Sequence, residues 1–236
     1  MFTHERSLQG DRHMTDGRPP GLTRVYDWAE LIADGCIHAV GVVGGLIAAL
    51  LLLVLAAGVV GALEYTSVAI YAVALVAMLG CSAAYNMTPP SRAKWLLRRA
   101  DHSTIYLMIA GTYTPFMTVL KASAWGAALS TTVWIGALVG AALKIFMPGR
   151  FDRLSIGLYL ALGWSVVLAF GPLAASLQTS TLVLLCVGGG LYTLGVIFHV
   201  WESLRFQNAI WHGFVLAAAG CHYGAVLDCM VLSRAA

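Results

Sequence analysis

Seven long apolar stretches constrain the fold of this chain more than any other feature of its sequence. A window of about 19 residues, the length of a helix that crosses a bilayer, detects them. The connections between the stretches are short, so they must pack together as one unit. The sequence therefore predicts an all-α polytopic membrane protein, a seven-transmembrane helix bundle within residues 25–236. The stretches cover residues 36–62, 66–86, 103–120, 124–146, 154–174, 180–200 and 209–232.

The composition supports the membrane assignment and excludes several other classes. Hydrophobic residues make up 59% of the chain and charged residues 11%, whereas about a quarter of a soluble domain is charged. The five cysteines are odd in number and form no CxxC pair, which argues against a disulfide framework or a cysteine zinc site. Basic residues are not interleaved with aromatic residues, so no nucleic-acid partner is expected. Membrane lipids are the expected partners, and protein partners stay open.

The distribution of basic residues predicts the orientation in the membrane. Residues 1–24 are polar and contain glycine and proline, and we expect them to form a disordered tail. In a seven-span arrangement, twelve of the fourteen basic residues fall on the side of this tail, and only Lys121 and Arg234 fall on the other. The positive-inside rule then predicts a cytoplasmic N-terminus and a C-terminus outside.

Polar side chains gather at the predicted cytoplasmic ends of at least four spans. Such side chains are costly within a membrane, and we expect these to meet at one depth and form a site. Each also has a local alternative: Asp101 could be a helix N-cap, Asn86 could cap a helix end, and Ser82 could be a small packing residue. The set comprises Glu30, Asp34, His38, Ser82, Asn86, Asp101, His102, His199, Asn208 and His212.

The segment "DHSTIYLMIAGTYTPF" (101–116) resembles the third-span signature of hemolysin III-type proteins. These proteins are the bacterial branch of the progestin and adiponectin receptor superfamily. The resemblance continues, in the same order along the chain, in "ELIADGCIHAVG" (30–41), "YLALGW" (159–164) and "NAIWHGFVLAAAGCHY" (208–223). It implies seven spans, a cytoplasmic N-terminus, a place in a bacterial inner (plasma) membrane, and a zinc site near the cytoplasmic face.

The implied zinc site uses three histidines and lies beside an aspartate. One histidine ends a Ser-x-x-x-His motif on the second span, and two more form a His-x-x-x-His motif opening the seventh. The matching metal positions here are Asn86, Asn208 and His212, so two of the three histidines are asparagine. Related ceramidases use a similar arrangement for zinc-assisted amide hydrolysis, which would give Asp101 and Ser82 catalytic roles.

The two asparagines weaken the case for zinc. Zinc prefers imidazole, thiolate and carboxylate ligands, whereas a neutral carboxamide oxygen suits harder cations. We therefore expect no cofactor at the family positions, with zinc as the alternative. A displaced site could combine His199, His102 or His38 with His212 and Asp101. The two amides could instead bond each other, Asp101 or His212, and close a polar network without a cation.

Three function classes compete at this stage. The favoured one is a hemolysin III-like membrane protein with a degenerate zinc site, non-catalytic and acting in membrane lipid sensing or homeostasis. The alternative is a zinc-dependent intramembrane hydrolase of a lipid amide or ester, in which Asp101 activates water. A channel or pore is less favoured, because the sequence has no repeat, no polar stripe along a span and few intramembrane charges beyond Asp228.

Overall fold

The computed structural model describes residues 26–120, 123–149 and 151–235, and within these ranges the chain contains helices and no strands. The tail predicted to be disordered, residues 1–24, lies outside the described residues. A 3₁₀ turn over Ser165–Ala169 separates α5 from α6, and a π-helical turn over Asp228–Leu232 continues α8 into a last short helix, α9 (Ser233–Ala235). The long elements are α1 (Trp28–Ala56), α2 (Ala62–Met87), α3 (Arg92–Val119), α4 (Ala124–Phe146), α5 (Asp152–Trp164), α6 (Phe170–Ser176), α7 (Thr179–Val200) and α8 (Gln207–Leu227).

Six helical segments are long and apolar enough to cross a membrane, and the protein is an integral membrane protein. They are α1, α2, α4, Asp152–Ser176, α7 and Gln207–Leu232. The predicted third span, 103–120, lies in α3, which does not reach the same apolar content over a span-length window. Length and composition of the described helices therefore give six spans where the sequence predicted seven.

The polar character of α3 follows from its place in the bundle. This helix packs against α2 on one side and α4 on the other. Tyr106, Ala110 and Phe116 are nearly inaccessible, and Thr112 satisfies its buried hydroxyl by donating to the Met108 carbonyl at 2.8 Å. A helix enclosed by other helices contacts little lipid, so polar groups that find partners inside the bundle are tolerated.

The fifth predicted span, 154–174, is interrupted where α5 gives way to the 3₁₀ turn. Backbone groups released by such a break have no water to bond within a membrane. The Tyr113 hydroxyl of α3 fills this need: it accepts a hydrogen bond from the Val166 N–H at 2.8 Å and lies 2.7 Å from the Gly163 carbonyl, to which it donates. A tyrosine of the third-span signature therefore supports the break in the fifth span.

The start of α8 is tied to the start of α1. Asp27 and Glu30 form a capping box, and the second Glu30 oxygen accepts from the Phe206 N–H at 3.0 Å. Phe206 adopts a left-handed conformation with φ of 58°, and Arg205 pairs with Asp27 at 3.1 Å. The hydrogen bond from the Glu30 backbone N–H keeps the pKa of the Asp27 carboxyl below its ordinary value. These contacts set the register of α1 against α8, which brings their polar side chains together.

The described basic residues separate to the two ends of the bundle. Asp152, at the start of α5, binds Lys144 of α4 at 2.6 Å and Arg98 of α3 at 2.7 Å, which ties three helices together. At the opposite end Arg234 binds both oxygens of Glu64, at 2.9 and 3.1 Å. The end that carries the polar cluster also carries Arg92, Lys94, Arg98, Arg99, Lys144, Arg153 and Arg205.

Candidate functional site

The predicted polar cluster assembles at one end of the bundle from five helices. It lies between the ends of α1, α2, α3, α7 and α8 and borders two adjoining cavities. The larger cavity is lined at its polar end by His38, Ser82, Asp101, His199 and His212. The smaller cavity is lined by Glu30, Asp34, Asn86, Lys94 and Asn208, among others.

Asp34 is the centre of this cluster. One of its oxygens lies 2.6 Å from His212 Nδ1, and the other accepts from the Asn208 amide at 2.8 Å. His38, one turn along the same helix, places Nε2 at 3.5 Å from the second oxygen, without forming a directed hydrogen bond. The His38 and His212 rings lie 4.4 Å apart between centroids. A carboxylate of α1 therefore holds side chains of α8.

The two asparagines of the cluster bond each other. The Asn208 amide donates to Asn86 Oδ1 at 3.1 Å, and the Asn86 amide donates to the Ser82 carbonyl at 2.9 Å. Lys94 closes the end of α2 by donating to the Thr88 carbonyl at 2.9 Å, and burial lowers the pKa of this ammonium below its ordinary value. The carboxamides thus link α2, α8 and, through Asp34, α1.

Asp101 belongs to a neighbouring pair. Its carboxylate lies 3.2 Å from His102 Nδ1 and interacts electrostatically with Ser82 and His212. The His102 carbonyl accepts from the Tyr159 hydroxyl at 3.0 Å, which joins α3 to α5. Asp101 lines the large cavity but is not one of the side chains gathered around Asp34.

His199 faces the large cavity but lies apart from the histidines of α1 and α8. Its ring packs on Trp211 at 4.8 Å between centroids, and its buried Nδ1 has no hydrogen-bond partner among the described residues. His38 and His212, by contrast, join Asp34 in a group whose potential ligand atoms all lie within 4.8 Å of one another. Of the three histidines considered for a displaced site, His38 is the one that lies with His212.

The large cavity extends from the polar cluster into the apolar interior of the bundle. Its volume is about 470 Å³, within the range of roughly 300–1,000 Å³ typical of small-molecule sites. Ser82, Asp101 and His212 border its polar end, and apolar side chains of every predicted span except the fourth line the rest, including Phe170 and Leu182. This shape can receive a hydrocarbon chain with a polar group at the cluster.

Comparison with known proteins identifies the family. The haemolysin-III related family model matches residues 26–223. The chain belongs to this family. It is 37% identical to the hemolysin-3 homolog of Bacillus subtilis over 198 residues, which are 84% of this chain and 93% of the relative. It is 34% identical to hemolysin-3 of Bacillus cereus over 207 residues, 87% of this chain and 94% of the relative. The resemblance inferred from the third-span signature is confirmed.

A more distant relative lies in the wider superfamily. The human monocyte to macrophage differentiation factor is 29% identical over 127 residues, which are 53% of this chain and 52% of the relative. No solved structure matches the chain.

The family positions of the implied zinc site do not fit zinc in this haemolysin-III related protein. His212 is the sole imidazole among them, and its Nδ1 lies 2.6 Å from an Asp34 oxygen. The carboxamides of Asn86 and Asn208 are bonded to each other, as neutral amides that zinc does not prefer.

The central role of Asp34 was not predicted from the sequence. Asp34 was one of ten polar candidates, and the displaced site considered from the sequence combined His212 with Asp101 instead. A signal was available, since Asp34 and His38 are four residues apart and share one face of a helix. The sequence does not say which way that face points.

Proposed function

We propose that this haemolysin-III related protein is a non-catalytic lipid-binding membrane protein that senses or tunes membrane lipid composition. The cavity is the observation that carries the proposal. It joins a polar cluster at one end of the bundle to an apolar interior, and this division matches the two parts of a lipid. The lipid would place its chain among apolar residues such as Ile109 and its polar group near Asp101 and His212.

The absence of hydrolysis is supported by the donor set at the family zinc positions. Zinc lowers the pKa of bound water and polarises a carbonyl, and an amide pair supplies neither effect. Asn86 and Asn208 instead join a hydrogen-bond network in which each amide nitrogen donates to an oxygen of the cluster. In this proposal the fold and the cavity serve lipid binding without the chemistry that the resemblance implies.

The proposal includes seven spans, a cytoplasmic N-terminus and an outer C-terminus in a bacterial inner membrane. Under this arrangement α3 crosses the membrane inside the bundle, and the end rich in Lys and Arg faces the cytoplasm. In a cysteine-free background, Ser203→Cys in the α7–α8 connection should react with a membrane-impermeant thiol reagent only after permeabilisation. Ala57→Cys, in the α1–α2 connection, should react in intact cells. The reverse pattern would contradict the orientation.

Lipid occupancy of the cavity can be tested by filling it. Ile109→Trp places a large ring at the cavity wall, whereas Ile135→Trp makes the same change on α4 at a side chain that is 58% exposed and does not line the cavity. We expect purified Ile109→Trp to retain much less co-purifying lipid than the parent, measured by mass spectrometry of extracts from nanodiscs of defined composition. Ile135→Trp should behave as the parent. Equal retention in all three proteins would refute lipid binding in this cavity.

A second candidate is a metal-dependent intramembrane hydrolase of a lipid amide or ester. The observation that favours it is the Asp34, His38 and His212 group, which borders the cavity near Asp101. The two candidates differ in one measurement, the release of fatty acid from a lipid amide or ester by zinc-loaded protein. We expect no release above a chelator-treated control. Zinc-dependent release that Asp101→Asn abolishes would establish the hydrolase instead.

A further inference from the structure

A buried histidine of α1 lacks a hydrogen-bond partner at the polar cluster. His38 is 7% exposed, and its Nε2 atom has no hydrogen-bond partner among the described residues, although it lies 3.5 Å from an Asp34 oxygen. Leaving a buried ring nitrogen unpaired costs free energy, and buried polar atoms without partners in native proteins call for a physical cause. A bound cation is one such cause, because a neutral imidazole nitrogen is a good metal ligand.

Three potential metal ligands from two helices lie close together at His38. Asp34 and His38 come from α1 and His212 comes from α8, and their potential ligand atoms lie within 4.8 Å of one another. The Asp34 oxygens lie 2.6 Å from His212 Nδ1 and 3.5 Å from His38 Nε2. Two imidazoles and one carboxylate form a set that zinc and similar divalent transition metals accept.

Asn208 supplies a fourth donor. Its amide nitrogen lies 2.8 Å from Asp34 Oδ2, so a half-turn of the carboxamide brings its oxygen to the same place. With this oxygen the set has four protein ligands, which is typical of structural zinc sites, whereas catalytic sites keep one position open for water. A weak amide donor is tolerated where three stronger ligands already hold the ion.

We infer that Asp34, His38, His212 and Asn208 bind a divalent transition-metal ion, with zinc the best match, in a structural site displaced toward α1. The ion connects α1 to α8 at the end of the bundle where Glu30 and Phe206 also join them. Asp101 lies outside this group, 3.2 Å from His102 Nδ1. Turning the Asn208 carboxamide gives up the hydrogen bond that its amide donates to Asn86, so Asn86 is not part of the set. The site shares Asn208 and His212 of α8 with the one implied by the resemblance, and it takes Asp34 and His38 of α1 in place of Asn86 of α2.

Metal content of a matched pair of histidine variants tests the site. His38→Gln removes a ligand, whereas His199→Gln removes a partly buried histidine outside the group whose Nδ1 is likewise buried without a hydrogen-bond partner. Each full-length protein is purified, stripped with chelator, reloaded with Zn²⁺ or Co²⁺, desalted and analysed for metal per chain. The parent and His199→Gln should hold about one ion per chain. The Co²⁺ form of both should show the visible absorption of four-coordinate cobalt.

His38→Gln should bind far more weakly. Loss of groups that merely support a ligand costs 10–100-fold in affinity, so loss of a ligand itself should cost at least about 100-fold. Asp34→Asn, which keeps the side-chain shape, should give the same loss. A wild-type protein that holds no ion after reloading would overturn the inference, as would equal metal loss in His38→Gln and His199→Gln.

A second measurement uses only the wild-type protein, so its result does not depend on whether a variant folds. Metal that binds the native state raises the melting temperature, so Zn²⁺ should raise the Tm of the stripped wild-type protein. No rise at saturating Zn²⁺ would overturn the inference without any variant. The lipid content of the same preparations is measured separately, so failure of the metal site and failure of the proposed lipid binding give different results.

Discussion

Removal of the Tyr113 hydroxyl should destabilise the protein, because two backbone groups at the break in the fifth span lose their hydrogen-bond partner. In Tyr113→Phe the Val166 N–H loses its acceptor at 2.8 Å, within a broken helix that has no water to replace it. The Gly163 carbonyl loses a donor as well, although a carbonyl tolerates this better than an N–H group does. An orphaned buried donor costs about 1–3 kcal/mol. We therefore expect a loss of about 2 kcal/mol in the free energy of unfolding, or about 30-fold in the equilibrium constant.

Tyr71→Phe is the matched control. Tyr71 is fully buried on α2, and its hydroxyl has no hydrogen-bond partner among the described residues. Removing that hydroxyl takes away an unsatisfied polar group, so Tyr71→Phe should be neutral or stabilising. The assay is reversible unfolding in mixed micelles of increasing SDS fraction, followed by helix content. If Tyr113→Phe is as stable as the parent, or if both variants lose the same stability, the assigned role of the Tyr113 hydroxyl is wrong.

Two further predictions concern the packing of the bundle. Asp152→Asn removes the partner of Lys144, which is 3% exposed, and should cost about 2 kcal/mol in the same unfolding assay, a moderate value because Asp152 itself is partly exposed. Unchanged stability would show that this pair contributes little. Gly140→Ala places a Cβ against the Tyr106 ring and should cost about 1–3 kcal/mol by overpacking α3 against α4. Gly44→Ala, where a Cβ meets nothing within 4 Å, should be neutral or slightly stabilising, and an equal loss in both would refute the packing argument.

The sequence predicted most of the helices because lipid imposes a simple length requirement on apolar segments. The prediction for 124–146 agrees with α4, and 180–200 differs from α7 by one residue. The predicted first residues of α1 and α3 were less accurate: these helices begin at Trp28 and Arg92, whereas the sequence predicted starts at 36 and 103. Their first turns carry polar residues, so hydropathy detects the apolar part of such a helix and misses its extension beyond the membrane core.

The sequence could not predict the arrangement of the donors in the candidate site. The set of ten polar residues includes Asp34, His38, Asn208 and His212, but the pairing of His212 with Asp34 rather than Asp101 depends on the rotation of α1. The break in the fifth span could not be predicted either, because the partner of the Val166 N–H is Tyr113, which lies 53 residues away in the chain.

The sequence was sufficient to predict a helical membrane protein of the haemolysin-III related family, with polar residues collected at one end. Apolar length, charge asymmetry and a long signature are properties of consecutive residues, so they can be read without coordinates. Three features could be seen only in the folded chain. Asp34 contacts His212 and Asn208, the Asn208 amide donates to Asn86, and a cavity lies beside them. These contacts join helices far apart in the chain, and they depend on the relative rotation and depth of packed helices.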